Sequence, residues 1–347
     1  MKHRETPQNG TRLFSEEPAE TTGFADVKAR HLLCAPAQDP HVCFHQGLYH
    51  YCESSAHGIF IRSAAHFLDL GAVDSRRVWA PPAHGPASRH LWAPELHRID
   101  GRFYIYFAAD NGRNANHRMW VLAAQTDDPL GPYELVGSLE TGGWAIDGTV
   151  LTDAFGNHLF VWSGWPGKKN GQQNLYIARM KSPVALAGPR VLLAQPDRAW
   201  ECHGLPICEG PQVLQRGGRT FIVYSASGSW TQDYCLGVLV HDGGDLLDPK
   251  TWRKTEPALQ KNVHAWGVGH CCFVTTPDGS EDWVIYHSKT SRRLGWIDRE
   301  VRAQPFSWTP EGSPRLGSPL PVELAMVAPV VEAPLAAITT SLVAQSA

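Results

Sequence analysis

Five ionisable residues recur along the chain, each at the start of a similar stretch: an apolar strand pattern, a glycine-containing turn and a second strand pattern. Consecutive members are 56, 52, 62 and 61 residues apart, by subtraction along the sequence. Carboxyl groups that converge on one place shift each other's pKa, and a pair in different protonation states can act as general acid and general base. Such chemistry requires a fold that brings these distant residues together. The five are Asp39, Glu95, Asp147, Glu209 and His270.

The stretch that begins at Glu209 shows the pattern most clearly. A short apolar strand is followed by the turn Gly217-Gly218 and by a strand rich in β-branched and aromatic residues, Phe221-Ile222-Val223-Tyr224. This is the signature of a β-hairpin. A hairpin that recurs at such intervals indicates a repeat architecture, and units of this length fit four-stranded propeller blades. We therefore predict an all-β fold, a five-bladed β-propeller.

The register of the repeat carries a functional prediction. If the five units are equivalent, their first residues surround one mouth of the axial channel. A single acid at a strand start is typically a solvated turn residue, but this does not explain four acids in register, because crowded like charges cost free energy. We predict that Asp39, Asp147 and Glu209 share one cleft at this mouth.

The charge of the chain and the polarity of its first residues indicate which partners and which domain boundaries to expect. The net charge is −3, which argues against a nucleic acid or an anionic membrane as partner and leaves the oligomeric state open. We predict a polar extension over residues 1–30, the propeller over 31–322 and a tail over 323–347. The extension lacks an apolar signal segment, and the eight cysteines form no CxxC pair. Both features favour a cytoplasmic protein with buried thiols.

Five short motifs together resemble glycoside hydrolase family 43, and the resemblance covers roughly residues 32–322. That family contains α-L-arabinofuranosidases, endo-arabinanases and β-xylosidases on a five-bladed propeller. The motifs are Asp39-Pro40-His41-Val42, Trp92-Ala93-Pro94-Glu95-Leu96, Ile146-Asp147-Gly148, Glu209-Gly210-Pro211 and Gly269-His270.

The resemblance implies a role for each matching residue. Asp39 matches the general base, Asp147 the acid that orients and tunes the pair, and Glu209 the general acid. Arg299 matches an arginine that contacts the sugar. His270 matches an axial histidine that in some members helps to hold a calcium ion through water, so a structural Ca²⁺ on the propeller axis is expected, while no cofactor is required for the reaction.

Other motif residues and one nearby tryptophan are expected to contact the substrate, because sugars are bound by aromatic faces and hydrogen-bonding groups. An inverting hydrolase places its two carboxyls about 6.5–9.5 Å apart, and a negative Asp147 would raise the pKa of Glu209 and keep it protonated. The expected substrate contacts are His41, Trp92, Glu95 and Trp162.

The resemblance therefore implies an inverting hydrolase that removes α-L-arabinofuranosyl residues from arabino-oligosaccharides or arabinose-containing plant polysaccharides. A β-xylosidase or an arabinanase of the same family is an alternative, since the sequence leaves arabinose against xylose and exo against endo action open. A retaining fructosidase-type propeller is another, because Trp200-Glu201-Cys202 mimics the acid-bearing segment of that group. A propeller that binds glycans without cleaving them is the third.

Overall fold

The computed structural model describes residues 28–29, 32–324 and 326–327. The predicted extension over 1–30 and tail over 323–347 therefore lie almost entirely outside the described residues. The described chain is built from β-strands and four short 3₁₀ helices, and none of its helices is long and apolar enough to cross a membrane. The 3₁₀ helices are Phe67–Asp69, Asn114–Asn116, Ala199–Glu201 and Pro249–Thr251.

Five antiparallel sheets follow one another along the chain, and the first strands of neighbouring sheets contact each other around a common axis. The predicted five-bladed propeller is confirmed. Two short strands precede the first blade, β1 (Lys28–Ala29) and β2 (Leu32–Cys34). The first blade contains β3 (His41–His45), β4 (Leu48–Ser55), β5 (Gly58–Ala64) and β6 (Arg76–Trp79). The second contains β7 (Arg89–Ile99), β8 (Arg102–Asp110), β9 (Arg118–Ala124) and β10 (Tyr133–Ser138).

The remaining blades repeat this order. The third contains β11 (Ala145–Thr152), β12 (His158–Gly164), β13 (Asn174–Ser182) and β14 (Ala185–Ala194). The fourth contains β15 (Cys208–Arg216), β16 (Arg219–Ala226), β17 (Cys235–His241) and β18 (Trp252–Lys254). The fifth contains β19 (Trp266–Thr275), β20 (Asp282–Lys289) and β21 (Arg299–Trp308), and two further short strands are β22 (Pro314–Arg315) and β23 (Met326–Val327).

The ring is closed by the beginning of the chain. Strand β2 pairs antiparallel with β21 and so supplies the outermost strand of the fifth blade, while β1 pairs with β23. This joins the first and last parts of the described chain and covers an edge of the last sheet that would otherwise expose unpaired backbone groups.

The predicted hairpin turns are present, and their chemistry explains the sharp reversals. The turns Asp100-Gly101 and Gly217-Gly218 both have positive φ at their two residues, which is the type I′ geometry that matches the twist of the flanking strands. All eight cysteines are free thiols.

The hydrophobic core consists of five clusters, one between each pair of neighbouring blades. Successive residues of one strand enter different clusters, as Phe160 and Trp162 pack against the second blade while Val161 between them packs against the fourth. The central strands are thus buried on both faces, which is why they read as nearly continuous apolar runs rather than as alternating patterns.

This packing corrects one expected substrate contact. Trp162 is fully buried and stacks at 6.0 Å, between ring centroids, on both Phe160 and Tyr176. It belongs to the core between the second and third blades and has no surface available for a sugar, so the prediction that it binds substrate is wrong.

We expect Trp162→Ala to destabilise the fold by about 3–5 kcal/mol, the usual effect of truncating a buried tryptophan. Phe155→Ala is the control, because Phe155 is 89% exposed and should change stability by no more than about 0.5 kcal/mol. Urea unfolding of both variants and the parent measures the difference. Equal stability of the two variants would contradict the placement of Trp162 in the core.

Candidate active site

The inner strands of the blades bend at one equivalent place. There a single residue takes the left-handed conformation, and in four blades the ladder to the second strand is interrupted at this point. For a residue other than glycine this conformation is strained, and such strain is concentrated at functional sites. The residues and their φ values are Asp39 (48°), Ala93 (41°), Asp147 (54°), Gly210 (53°) and His270 (45°).

The interrupted ladders correct the predicted register. Glu209 is the last paired residue before its break, as Ile146 is in the third blade, so it lies one position before Asp147 in the repeat. In the second blade, Glu95 is the first residue that pairs again after the interruption of the ladder. Thr149 has this position in the third blade. Asp39, Asp147 and His270 are equivalent, whereas Glu209 and Glu95 are not equivalent to them, because the acid spacing in the sequence does not reveal the bends.

Asp39 is surrounded by basic groups. Its Oδ1 lies 3.1 Å from His287 Nδ1, 3.5 Å from His270 Nδ1 and 3.5 Å from an Arg299 guanidinium nitrogen. The Asp39 backbone N–H also donates to His287 Nδ1 at 3.3 Å. Burial on its own would raise the pKa of Asp39, but His270, Arg299 and the side-chain contact with His287 together hold it well below its usual range. Asp39 is therefore ionised at neutral pH, as a general base must be.

Glu209 has the opposite electrostatic environment. Its Oε1 accepts a hydrogen bond from the Tyr234 hydroxyl at 2.8 Å. Burial raises the pKa of Glu209 to about 7, with the negative charge of Asp39 adding to the shift and Tyr234 and Arg299 opposing it. Glu209 thus keeps its proton in the acidic range and is still partly protonated at neutral pH, as a general acid requires.

Asp147 connects the two other acids. Its Oδ2 accepts the backbone N–H of Gly210 at 3.1 Å and lies 4.0 Å from His270 Nδ1. Burial raises the pKa of Asp147 to about 8, and Glu209 and Asp39 add to this against the effect of His270. Asp147 and Glu209 therefore disfavour each other's charge, and burial is the largest cause of the raised pKa of each group. Asp147 holds the backbone immediately after Glu209, which fixes where the acid points.

The cleft at Asp39 has a volume of about 240 Å³, and Arg299, Pro94 and Trp296 also line it. Trp296 was missed from the sequence, where Gly295-Trp296 reads only as part of a loop after the fifth hairpin. Trp92 is half-buried, stacks on His117 at 4.0 Å between ring centroids and does not line this cleft. A contact between Trp92 and the substrate stays a prediction.

His41 and Glu95 lie further along the axis than expected. Glu95 is buried and accepts hydrogen bonds from Gln212 and from His97 Nε2 at 2.8 Å, with His41 Nε2 at 3.7 Å. His41 lines a second cavity of about 340 Å³, whose lining includes none of the three acids. These two residues contact each other beside the channel cavity, and a contact of either with the substrate stays a prediction.

One cluster of side chains on the axis brings together atoms of the kind that bind metals. Among the described residues, His41, Glu95 and His97 are the group whose donor atoms lie within 4.8 Å of one another, whereas Ca²⁺ takes six to eight oxygen ligands. The Leu96 N–H donates to His41 Nδ1 at 3.2 Å, so the proton of the neutral ring lies on Nε2, towards Glu95. His270 is not in this group. The expected ion stays a prediction, and no step below depends on it.

Glu201, the rival acid of the fructosidase-type alternative, has a structural environment. It is fully buried, its Oε1 lies 2.8 Å from Lys254 Nζ, and it accepts a hydrogen bond from the Tyr224 hydroxyl at 2.7 Å. Its other oxygen accepts the backbone N–H groups of Asp197 and Arg198. An acid whose oxygens are all occupied in this way has none left for a substrate.

A five-bladed propeller that holds an ionised aspartate and a protonated glutamate at one mouth has the arrangement of a glycoside hydrolase with two carboxyl groups. A sequence model described as "Glycosyl hydrolases family 43" matches residues 33–314. The chain belongs to this family, as its motifs indicate.

Several relatives carry a more specific name. The extracellular exo-α-(1→5)-L-arabinofuranosidase of Streptomyces avermitilis is 30% identical over 91% of this chain, which spans 66% of that relative. The enzyme of the same name from Streptomyces chartreusis is 34% identical over 74% of this chain and 81% of its own length. The crystal structure of an α-L-arabinofuranosidase from Lactobacillus brevis has a TM-score of 0.81 and 32% identity, and the match covers 86% of this chain and all of that one.

These names overturn one prediction from the sequence. Both Streptomyces relatives are named as extracellular enzymes, so the expected cytoplasmic location is wrong. It was based on the lack of an apolar segment near the first residue and on the cysteine pattern. Neither feature is positive evidence for a location.

His287 is a positioning residue for the general base, and its removal should move the pH profile. We expect His287→Phe, which keeps a ring against Tyr234, to raise the pKa of Asp39, because the ionised carboxylate loses its polar neighbour at 3.1 Å. The acidic limb of kcat/KM on an aryl glycoside should then move to higher pH by about one unit, and the alkaline limb, set by Glu209, should stay in place.

His287→Asn is the matched control, since its amide can donate a hydrogen bond from about the place of Nδ1. We expect it to return the acidic limb towards that of the parent. If both variants lose activity equally with an unchanged pH profile, His287 has only a structural role.

Proposed function

We propose that this chain is an inverting α-L-arabinofuranosidase that removes terminal arabinofuranosyl residues from arabinose-containing oligosaccharides or plant polysaccharides. The observation that carries the proposal is the contrast between the surroundings of the two acids: Asp39 lies within 3.5 Å of His270, His287 and Arg299, whereas Glu209 is buried with the Tyr234 hydroxyl as its neighbour. These surroundings favour a carboxylate that accepts a proton at Asp39 and a carboxyl that donates one at Glu209. The names of the relatives support arabinose as the sugar. A cleft of about 240 Å³ is below the range typical of drug-sized ligands, so it suits the short end of a glycan rather than the middle of a long chain.

In this mechanism Asp39 takes a proton from a water molecule while the water oxygen forms a bond to the anomeric carbon. The bond from that carbon to the leaving oxygen breaks, and Glu209 transfers its proton to this oxygen. The products are arabinose with inverted anomeric configuration and the shortened glycan. Asp39 is then protonated and Glu209 ionised, and proton exchange with solvent restores both.

The other residues of the cleft support this division of roles. Arg299 keeps Asp39 ionised and lines the cleft, so it is placed to contact the sugar. Tyr234 orients Glu209 through its hydroxyl, and Asp147 fixes the backbone beside it. These bonds hold base and acid in place before the substrate arrives, so that little reorganisation is needed during the reaction.

The test uses two substrates that differ in how strongly the leaving oxygen needs a proton. We expect Glu209→Ala to lower kcat/KM on an arabino-oligosaccharide by about 10²–10⁴-fold, because a sugar oxygen leaves poorly without a proton. The loss on dinitrophenyl α-L-arabinofuranoside should be far smaller. Asp39→Ala should lose similar amounts on both substrates, because each requires an activated water.

Glu201→Gln is the control, because Glu201 is buried in a structural ion pair and should show no dependence on the leaving group. A parent protein that hydrolyses neither substrate would contradict the proposed function. A leaving-group-dependent loss in Glu201→Gln, absent in Glu209→Ala, would instead favour the fructosidase-type alternative.

A further inference from the structure

An exposed tryptophan stands at the open side of the cleft. Trp296 lines the cleft together with Asp39 and Arg299, yet it is 53% exposed. It belongs to the loop of residues 290–298, which connects β20 to β21 at the same mouth as the three acids. A large aromatic side chain left half in water beside a polar cleft offers a flat apolar surface with no partner from the described part of the chain on its outer side.

The ring of Trp296 is held in place. Its Nε1 donates to Ser229 Oγ at 3.1 Å, and the ring meets that of Trp230 edge-on at 5.8 Å between centroids. The N–H of Gly295 donates to the Trp230 carbonyl at 2.9 Å. Both partners lie in the loop after β16, in the blade that carries Glu209. The exposed face is thus fixed relative to the general acid.

The base of this loop is fixed by a buried ion pair. Lys289 is fully buried, and its Nζ lies 2.5 Å from Asp298 Oδ1 and 2.5 Å from the Gly295 carbonyl oxygen. Asp298 also accepts a hydrogen bond from Ser291. The ion pair between Lys289 and Asp298 holds the two ends of the loop together. Opening the loop would leave a buried charge without a partner, which costs free energy.

The position of the Trp296 ring decides which part of the substrate it faces. In the proposed reaction the terminal sugar lies against Asp39, and the rest of the glycan lies on the side of Glu209, which protonates the linking oxygen. Trp296 lines the same cleft as Asp39 and is anchored to the blade of Glu209 through Ser229 and Trp230. A fixed ring at this point binds without the entropy cost of ordering a mobile side chain.

We propose that Trp296 forms a binding subsite for the sugar residue next to the one that is released. The inference rests on the proposed function and adds to it a preference for oligosaccharides over glycosides with a small leaving group. The ligand class is a pentose ring presenting its C–H face to the indole, with its hydroxyls directed to solvent.

The test compares an α-1,5-linked arabinotriose with methyl α-L-arabinofuranoside, which has no second sugar. We expect Trp296→Ala to lower kcat/KM on arabinotriose by about 10-fold or more, as for the loss of a buried aromatic anchor. On the methyl glycoside the change should be no more than about twofold. Trp296→Phe, with a smaller ring, should lie between Trp296→Ala and the parent on arabinotriose.

Ile297→Ser is the matched control, because Ile297 is the next residue and is 93% exposed, but it does not line the cleft. It should leave kcat/KM unchanged on both substrates. Equal losses of Trp296→Ala on the two substrates, or no loss on either, would overturn the subsite. A parent protein that hydrolyses neither substrate would contradict the proposed function itself, and the subsite with it.

Discussion

The convergence of three largely buried carboxyl groups on one place is the constraint on which the rest of this structure depends. Three negative charges at that depth would repel each other at high cost in free energy, so protons must remain on some of them. His270, His287 and Arg299 surround Asp39 and decide that this carboxyl loses its proton. The charge of Asp39 then helps Glu209 to keep its proton. General base and general acid follow from the same set of contacts.

The propeller provides this constraint through its inner strands. Each bends at one place through a residue in the left-handed conformation, and two of the acids, Asp39 and Asp147, are themselves such residues. Because five blades converge on the axis, residues far apart in the sequence reach one another, as Asp147 does in accepting the backbone N–H of Gly210. The strain is supported by cores buried on both faces of every blade.

The five-bladed fold and the three acids could be predicted from the sequence. Hairpin turns such as Asp100-Gly101 and an acid recurring near the start of the inner strands are local signals in the sequence. It does not reveal the bends, so Glu95 was placed at the mouth although it lies inside the channel. Strands that are apolar on both faces do not show where each face packs, which is why Trp162 was assigned to the substrate. The exposure of Trp296 depends on a loop conformation set by the distant pair of Lys289 and Asp298.

The central claim is that Asp39 activates water for a direct attack on the sugar rather than attacking it itself. Proton NMR spectroscopy of the reaction from its first minutes tests this directly, with an arabinofuranoside as substrate and observation of the anomeric proton of the released arabinose. The account predicts that the inverted anomer appears first and the other anomer only later, through mutarotation. Initial release of the retained anomer would contradict it, because a covalent intermediate on a carboxylate would then be required.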